Sequence, residues 1–329
     1  MDFLDPDRIV RVARVVRGSD PSSRRAAAAI DPASSGGYRP RMTPPQIITG
    51  LAEIADRYDA VLCDVWGVVH NGRRSFAAAC DALARFQETR GPVVLITNAP
   101  RPHPPILDQL DGLGVPREAW SRVVTSGDAC RKLLAARAPG PIYKLGPERD
   151  WPLYEGLGLE EAPLAEAAFI CCTGPFDDEN DEPEDYREAF VGAVARGLEL
   201  ICANPDIVVQ RGDTLIYCAG ALAQLYESLG GRVLLAGKPY PAIYDLTISE
   251  AERRLGRPLD RARVLCVGDG LPTDIRGANA QDLDALFVAG GIHGAEAIGD
   301  DGALRPDMVA DMMRQEGLHA RWAMTALIW

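Results

Sequence analysis

Ala60-Val61-Leu62-Cys63-Asp64-Val65-Trp66-Gly67-Val68-Val69 is the stretch that decides how this chain folds. Its first four residues are apolar without alternation, which marks a strand buried on both faces rather than one exposed on one side. The run ends on a carboxylate, and Gly67 supplies a turn just beyond it. An open α/β sheet gathers its chemistry outside the carboxyl ends of its strands. Working outward, the pattern repeats. Val93-Val94-Leu95-Ile96 runs into Thr97-Asn98, Val264-Leu265-Cys266-Val267 into Gly268-Asp269-Gly270, and Leu286-Phe287-Val288 into Gly290-Gly291. Val123-Val124-Thr125-Ser126 is a further short strand. Helical periodicity lies between these runs at 47–58, 75–89, 106–113 and 241–255. Strands alternating with helices predict an α/β fold with a Rossmann-like parallel sheet covered on both faces.

The middle of the chain interrupts this series. Ile142–Leu145, Phe169–Cys172 and Leu198–Cys202 read as strands, Ala219–Leu229 as a helix, and Asn204-Pro205-Asp206 as a turn. The acidic run Phe176–Asp185 reads as a solvated surface segment. Residues 130–231 are therefore expected to form a smaller α/β domain inserted into a core of 43–129 and 232–329, with Val233-Leu234-Leu235 resuming the core. Residues 1–42 differ in composition, with Ser, Gly, Ala and Arg clusters, and read as a flexible extension. Their aspartates argue against a transit peptide, and Met42 is an alternative working start. The apolar tail Trp322–Trp329 is expected to cover the core or to meet a second subunit in a homodimer.

The chain has 329 residues, 47% of them hydrophobic, and a formal net charge of -12. That charge argues against a nucleic-acid partner, which needs a basic face to displace counterions. No run approaches the ~18 apolar residues of a membrane span. The eight cysteines lie largely in apolar runs without CxxC spacing, as expected of buried free thiols in a cytoplasmic protein. Only Lys132, Lys144 and Lys238 are lysines among 35 basic residues, so a lysine in a Gly-Lys-Pro turn stands out.

Asp64, Thr97-Asn98, Lys238 and Asp269 with Asp274 all follow strand-like runs. Each alone is a weak signal, since polar residues commonly end strands. Together they supply a carboxylate nucleophile, a hydroxyl donor, an ammonium and an acidic pair for a cation. A phosphate monoester dianion repels a carboxylate, and a hard divalent cation, most simply Mg²⁺, screens both. Asp64, Asp269 and the main-chain carbonyl of Trp66 are the expected metal ligands. Asp274 is expected to orient Lys238 from behind. Thr97, Asn98 and Lys238 are assigned to phosphate, and Arg101 to the rest of a small-molecule phosphate ester. Gly268-x-Gly270 lacks the third glycine of a dinucleotide fingerprint, because Thr273 stands there. His103, His293 and His319 have no partners at ligand spacing.

Cys63-Asp64-Val65-Trp66-Gly67-Val68, Ile96-Thr97-Asn98, Gly237-Lys238-Pro239 and Gly268-Asp269-Gly270-Leu271-Pro272-Thr273-Asp274 resemble, in order, the four motifs of the haloacid-dehalogenase-like hydrolases. The insertion between the second and third motifs resembles the C2-type cap of their class IIA branch of small-molecule phosphatases. The resemblance covers about 43–300. It implies a Mg²⁺-dependent phosphatase of sugar phosphates or nucleotides that forms an aspartyl-phosphate on Asp64. One position departs from the pattern. The family's phosphatases carry a second carboxylate two residues after the nucleophile, as proton donor to the leaving group, and this chain has Trp66. Three readings stay open: good leaving groups or a proton relay, for which His70 is the nearby candidate; a phosphometabolite binder or sensor with little turnover; or different chemistry on Asp64.

Overall fold

The computed structural model describes residues 44–329 apart from 212, 213 and 300; the extension 1–42 and the alternative start at Met42 lie outside the described residues. The strands are β1 (Gln46–Ile47), β2 (Ala60–Cys63), β3 (Val93–Thr97), β4 (Arg122–Thr125), β5 (Ile142–Leu145), β6 (Phe169–Cys172), β7 (Glu199–Cys202), β8 (Val208–Arg211), β9 (Thr214–Tyr217), β10 (Arg232–Leu235), β11 (Val264–Gly268), β12 (Asp284–Val288) and β13 (Trp322–Met324). Seven of them form one parallel sheet in the order β1-β13-β12-β11-β2-β3-β4. The apolar runs lie inside it because neither face is wet. Val61 and Cys63 pack on one side with Leu83, Phe86 and Leu110, while Ala60 and Leu62 pack on the other with Ile243, Tyr244 and Ile248. Burying each large side chain of this kind stabilises the fold by roughly 1.5–3 kcal/mol.

The strand order reverses between β2 and β11. From β2 the chain builds outward through β3 and β4; after the insertion it restarts at β11 and builds the opposite way. The crevice above such a switch point is where ligands of open α/β sheets bind. The register sets Cys63 beside Val267, and Asp64 N–H donates to the Val267 carbonyl at 2.8 Å. Asp64 and the Gly268-Asp269 turn therefore leave the sheet side by side.

A second parallel sheet, in the order β10-β7-β6-β5, carries the insertion, and β8 and β9 form a separate antiparallel hairpin. Here the structure moves one strand. Arg232–Leu235, expected to resume the large sheet, pairs with Glu199–Cys202 as the edge of the small one. Arg232 is exposed and the next three residues are half-buried, as befits an edge, whereas the central strands β2 and β11 of the large sheet are fully buried. The helix expected at 47–58 is also absent. Gln46 and Ile47 are committed to the ladder with β13, and Gly50 lies against the Trp329 carbonyl, where a Cβ would sit 2.5 Å away. Only two short 3₁₀ turns, Leu51–Glu53 and Ala55–Arg57, fit into the remaining length. The C-terminal tail covers the core, with β13 in the sheet, Leu327 buried and the Ile328 carbonyl accepting from Leu51 N–H at 2.8 Å. All eight cysteines are free and buried. Among the described residues no helix is long and apolar enough to cross a membrane.

Candidate active site

A cavity of about 340 Å³ opens where the carboxyl ends of the two sheets face each other. On its floor the Lys238 ammonium sits between two carboxylates, 2.5 Å from Asp64 Oδ1 and 2.6 Å from Asp274 Oδ1. All three groups are buried. Lys238 arrives from the small sheet, on the loop after β10, so the lysine that neutralises the core carboxylates is delivered by the chain returning from the insertion. Asn98 fixes that delivery. Its Oδ1 accepts from Lys238 N–H at 2.7 Å, and its Nδ2 donates to the Lys238 carbonyl at 3.2 Å and to Asp206 Oδ1 at 2.8 Å. The Asn98 side chain is thereby engaged in positioning Lys238 and the Asn204-Pro205-Asp206 turn, while the residue still lines the cavity. Gly237 permits this contact, since a Cβ there would meet Asn98 Oδ1 at 2.3 Å.

Asp269 completes the acidic group. One ligand oxygen each from Asp64, Asp269 and Asp274 lie within 4.8 Å of one another. Asp269 Oδ2 accepts from Ile292 N–H at 2.8 Å, and Asp274 Oδ2 from Gly270 N–H at 3.0 Å. The carboxylates stand under strain of charge. Burial raises the Asp64 carboxyl well above its ordinary range, Asp274 adds to this, and Lys238 opposes it. Burial and then Asp274 push Asp269 up to about 7. Burial alone would lower the Lys238 ammonium, but Asp274 and Asp64 more than reverse that and hold it protonated. Three buried carboxylates against one ammonium leave an excess of negative charge lined with hard oxygen donors. That donor set fits a divalent cation of the Mg²⁺ or Ca²⁺ type and is a poor one for softer metals.

Glycines bring the two motif loops together. Gly67 has φ +81°, and a Cβ on it would lie 2.1 Å from Asp269 Oδ2; at Gly291 the same approach is 2.0 Å. Asp269 is held in a slot between two backbones. Gly67→Ala should therefore displace Asp269, lowering cation affinity at least about tenfold, in calorimetric titration with Mg²⁺, at a stability cost of about 1–3 kcal/mol.

Thr97 is buried and lines the cavity; its Oγ1 accepts from Ala99 N–H at 3.3 Å, which leaves its own proton to donate. Trp66 also lines the cavity. Its indole covers Gly72, where a Cβ would be 2.6 Å from Cη2, and it meets the His70 ring edge-on at 5.0 Å and 72°. His70 itself is 1% exposed, beneath that indole, with Nδ1 accepting from Gly72 N–H at 3.0 Å. It is not on the cavity wall. Burial lowers its pKa to about 4, so near neutrality it is the uncharged imidazole, with its one proton on Nε2 because Nδ1 accepts from Gly72. This placement lends the relay role no support, since His70 packs behind the Trp66 ring and not on the cavity wall. Its folded pKa lies below the unfolded value of about 6.5. The unfolded chain therefore binds the extra proton between these values, and stability present above pH 6.5 is lost as pH falls toward 4. Between pH 7 and 4.5 the native protein should lose about 2 kcal/mol more than His70→Gln, read from urea midpoints.

Sequence reasoning missed the wall opposite the carboxylates. Asp178, read within a solvated acidic run, is buried, lines the cavity and takes two guanidiniums, Arg149 and Arg211. Arg101 does reach the cavity, where it donates to Gln109 Oε1 at 3.0 Å and lies 3.6 Å from Asp150.

Comparison with known proteins accords with this geometry. A haloacid dehalogenase-like hydrolase model matches residues 61–160, and a HAD-hydrolase-like model matches 235–315, on either side of most of the insertion. A solved haloacid dehalogenase-like hydrolase from Brucella suis is 45% identical, with a TM-score of 0.76 over 87% of this chain and 100% of that one. The chain belongs to the haloacid dehalogenase-like hydrolases. Within them it stands in the class IIA, NagD-like branch. Its relatives include D-glycerol 3-phosphate phosphatase of Mycobacterium tuberculosis, 28% identical over 80% of this chain and 72% of that protein. The ribonucleotide monophosphatase NagD of Escherichia coli is 26% identical over 76% of this chain and 94% of its own length.

Proposed function

We propose that the protein is a Mg²⁺-dependent hydrolase of small phosphomonoesters that works through an aspartyl-phosphate on Asp64. The observation that carries this reading is the Lys238 ammonium held at 2.5 Å from Asp64 and 2.6 Å from Asp274 on the floor of the cavity. Its relatives' activities on glycerol phosphate and ribonucleotides support the same class of substrate. Asp64, Asp269 and the Trp66 carbonyl would hold the cation, which when bound offsets the charge of the phosphate dianion. Lys238 keeps Asp64 oriented, favours its ionised form against burial and Asp274, and offers its ammonium to a phosphoryl oxygen. Thr97 donates its hydroxyl to a second oxygen. Asp64 then attacks phosphorus opposite the ester oxygen. The P–O(ester) bond breaks as the Asp64–phosphorus bond forms, and water later cleaves the acyl phosphate to inorganic phosphate.

No carboxylic acid stands at position 66 to protonate the departing oxygen, so the first step is expected to favour esters whose oxyanion leaves unaided. p-Nitrophenyl phosphate and acetyl phosphate are the direct probes. Both should be turned over with Mg²⁺, and turnover should vanish with EDTA and return when Mg²⁺ is restored. Absence of turnover with every divalent metal, across a broad panel of phosphate esters, would refute the hydrolase and favour a phosphometabolite binder on the same fold.

A further inference from the structure

On the cavity wall away from Asp64, three guanidiniums share two buried carboxylates as their ion partners. Arg101, Arg149 and Arg211 all line it. Asp178 is shared by two of them. Arg211 grips it with two nitrogens, at 2.9 Å to Oδ2 and 3.5 Å to Oδ1, and Arg149 bonds the same Oδ2. Asp150, 3% exposed, serves Arg101 across 3.6 Å. Asp206 is a further carboxylate on the lining, accepting from the neutral Asn98 amide. Glu179 approaches Arg211 only at 4.0 Å from a side chain that is 74% exposed, where solvent screens it. Among the described residues, the three guanidiniums thus share two buried carboxylates, Asp150 and Asp178, as ion-pair partners. They lie close enough to disfavour one another: burial lowers the Arg101 pKa, and Arg149 and Arg211 lower it further against the pull of Asp150. Planar guanidiniums already fixed by a carboxylate keep further N–H donors in a set direction, which is the arrangement that recognises a second anion.

We propose that the leaving group of the substrate carries a negative charge of its own, a carboxylate or a second phosphoryl group, and that Arg101, Arg149 and Arg211 bind it while Lys238 and Thr97 hold the ester phosphate. The inference rests on the phosphomonoesterase reading and narrows it to dianionic esters with an anionic tail. It also suits the missing acid, because a tail anchored at the far wall fixes the ester oxygen in line without a protonated carboxyl to grip it.

The test compares 3-phosphoglycerate with glycerol 3-phosphate, which share a carbon skeleton and differ in the carboxylate, with ethanolamine phosphate as the cationic counterpart. The native protein should show kcat/KM at least about tenfold higher for the carboxylate ester than for the alcohol. This ratio should shrink in salt and fall toward one in Arg211→Gln and Arg149→Gln. A bisphosphate of the same skeleton tells a site sized for a carboxylate from one sized for a phosphoryl group. Parity between acid and alcohol, or preference for the cationic ester, overturns the proposal from the native protein alone, even if the variants do not fold. Equilibrium binding of the first two esters to Asp64→Asn reads the same preference without turnover. Preference in binding with no catalysis by the native protein would refute the hydrolase and leave this inference standing; equal binding would refute this inference.

Discussion

Asp64→Asn is expected to abolish turnover and at the same time to make the cation-free protein more stable. An amide cannot form the acyl phosphate, and loss of a nucleophile typically removes nearly all of an enzyme's advantage, here at least about 10⁴-fold in kcat. The stability gain follows from the charge count. Asp64 is buried beside Asp274 and Asp269, and its carboxyl is raised well above the ordinary range by burial first and Asp274 next. A carboxyl whose folded pKa exceeds its unfolded one opposes folding at neutral pH. The penalty is absent at low pH and grows as pH rises past the unfolded value of about 3.9. Removing that charge leaves Lys238 paired with Asp274 at 2.6 Å, so no buried cation is orphaned. Calorimetric melts at pH 7 in EDTA should place Asp64→Asn above the native protein, and added Mg²⁺ should narrow the gap by stabilising the native cluster more. A variant that melts lower in EDTA would mean that Asp64 holds the lysine more than it repels its neighbours. A variant with residual turnover above a ten-thousandth of the native rate would remove Asp64 from the nucleophile's role.

The legible part of this site is the part that the chain spells at strand ends. Asp64, Thr97 and Asp269 each follow an uninterrupted apolar run, and a parallel sheet has no other place to put them than one edge. What stayed hidden depends on contacts between segments far apart in sequence. The strand at 232–235 is apolar enough for either sheet, and its partner is chosen by register with Glu199–Cys202, which no local pattern encodes. Asn98 sits beside Thr97 at a strand end, yet its amide is claimed by a loop 140 residues away. Asp178 lies in an acidic stretch that composition assigns to solvent, and it is buried only because Arg149 and Arg211 converge on it from two other elements. The glycines were partly readable. Gly67 is needed for a positive φ that a turn implies, but its second reason, the approach to Asp269, belongs to the tertiary fold.

Trp66→Asp is expected to convert the site from one that selects by leaving group into one that protonates it. Trp66 lines the cavity one residue beyond the apolar Val65, so a carboxyl in its place faces the same space as Asp64 and Lys238. General acid–base assistance is worth about 10²–10⁴-fold. The gain should therefore appear in kcat for alkyl phosphates, whose alkoxides leave poorly, and be close to nil for p-nitrophenyl phosphate. A plot of rate against leaving-group basicity should be steep for the native protein and flat for the variant. The substitution also strips the indole from over Gly72 and from the His70 edge, which should cost about 2–4 kcal/mol. The assay is accordingly run well below the variant's melting temperature, with p-nitrophenyl phosphate turnover as the check that Asp64 and Lys238 are still in place. Equal gains on alkyl and aryl esters would show that the carboxylate acts by reshaping the cavity. No gain on alkyl phosphates with aryl turnover intact would show that position 66 does not reach the ester oxygen, and that this chain's own means of releasing the leaving group lies on the arginine wall.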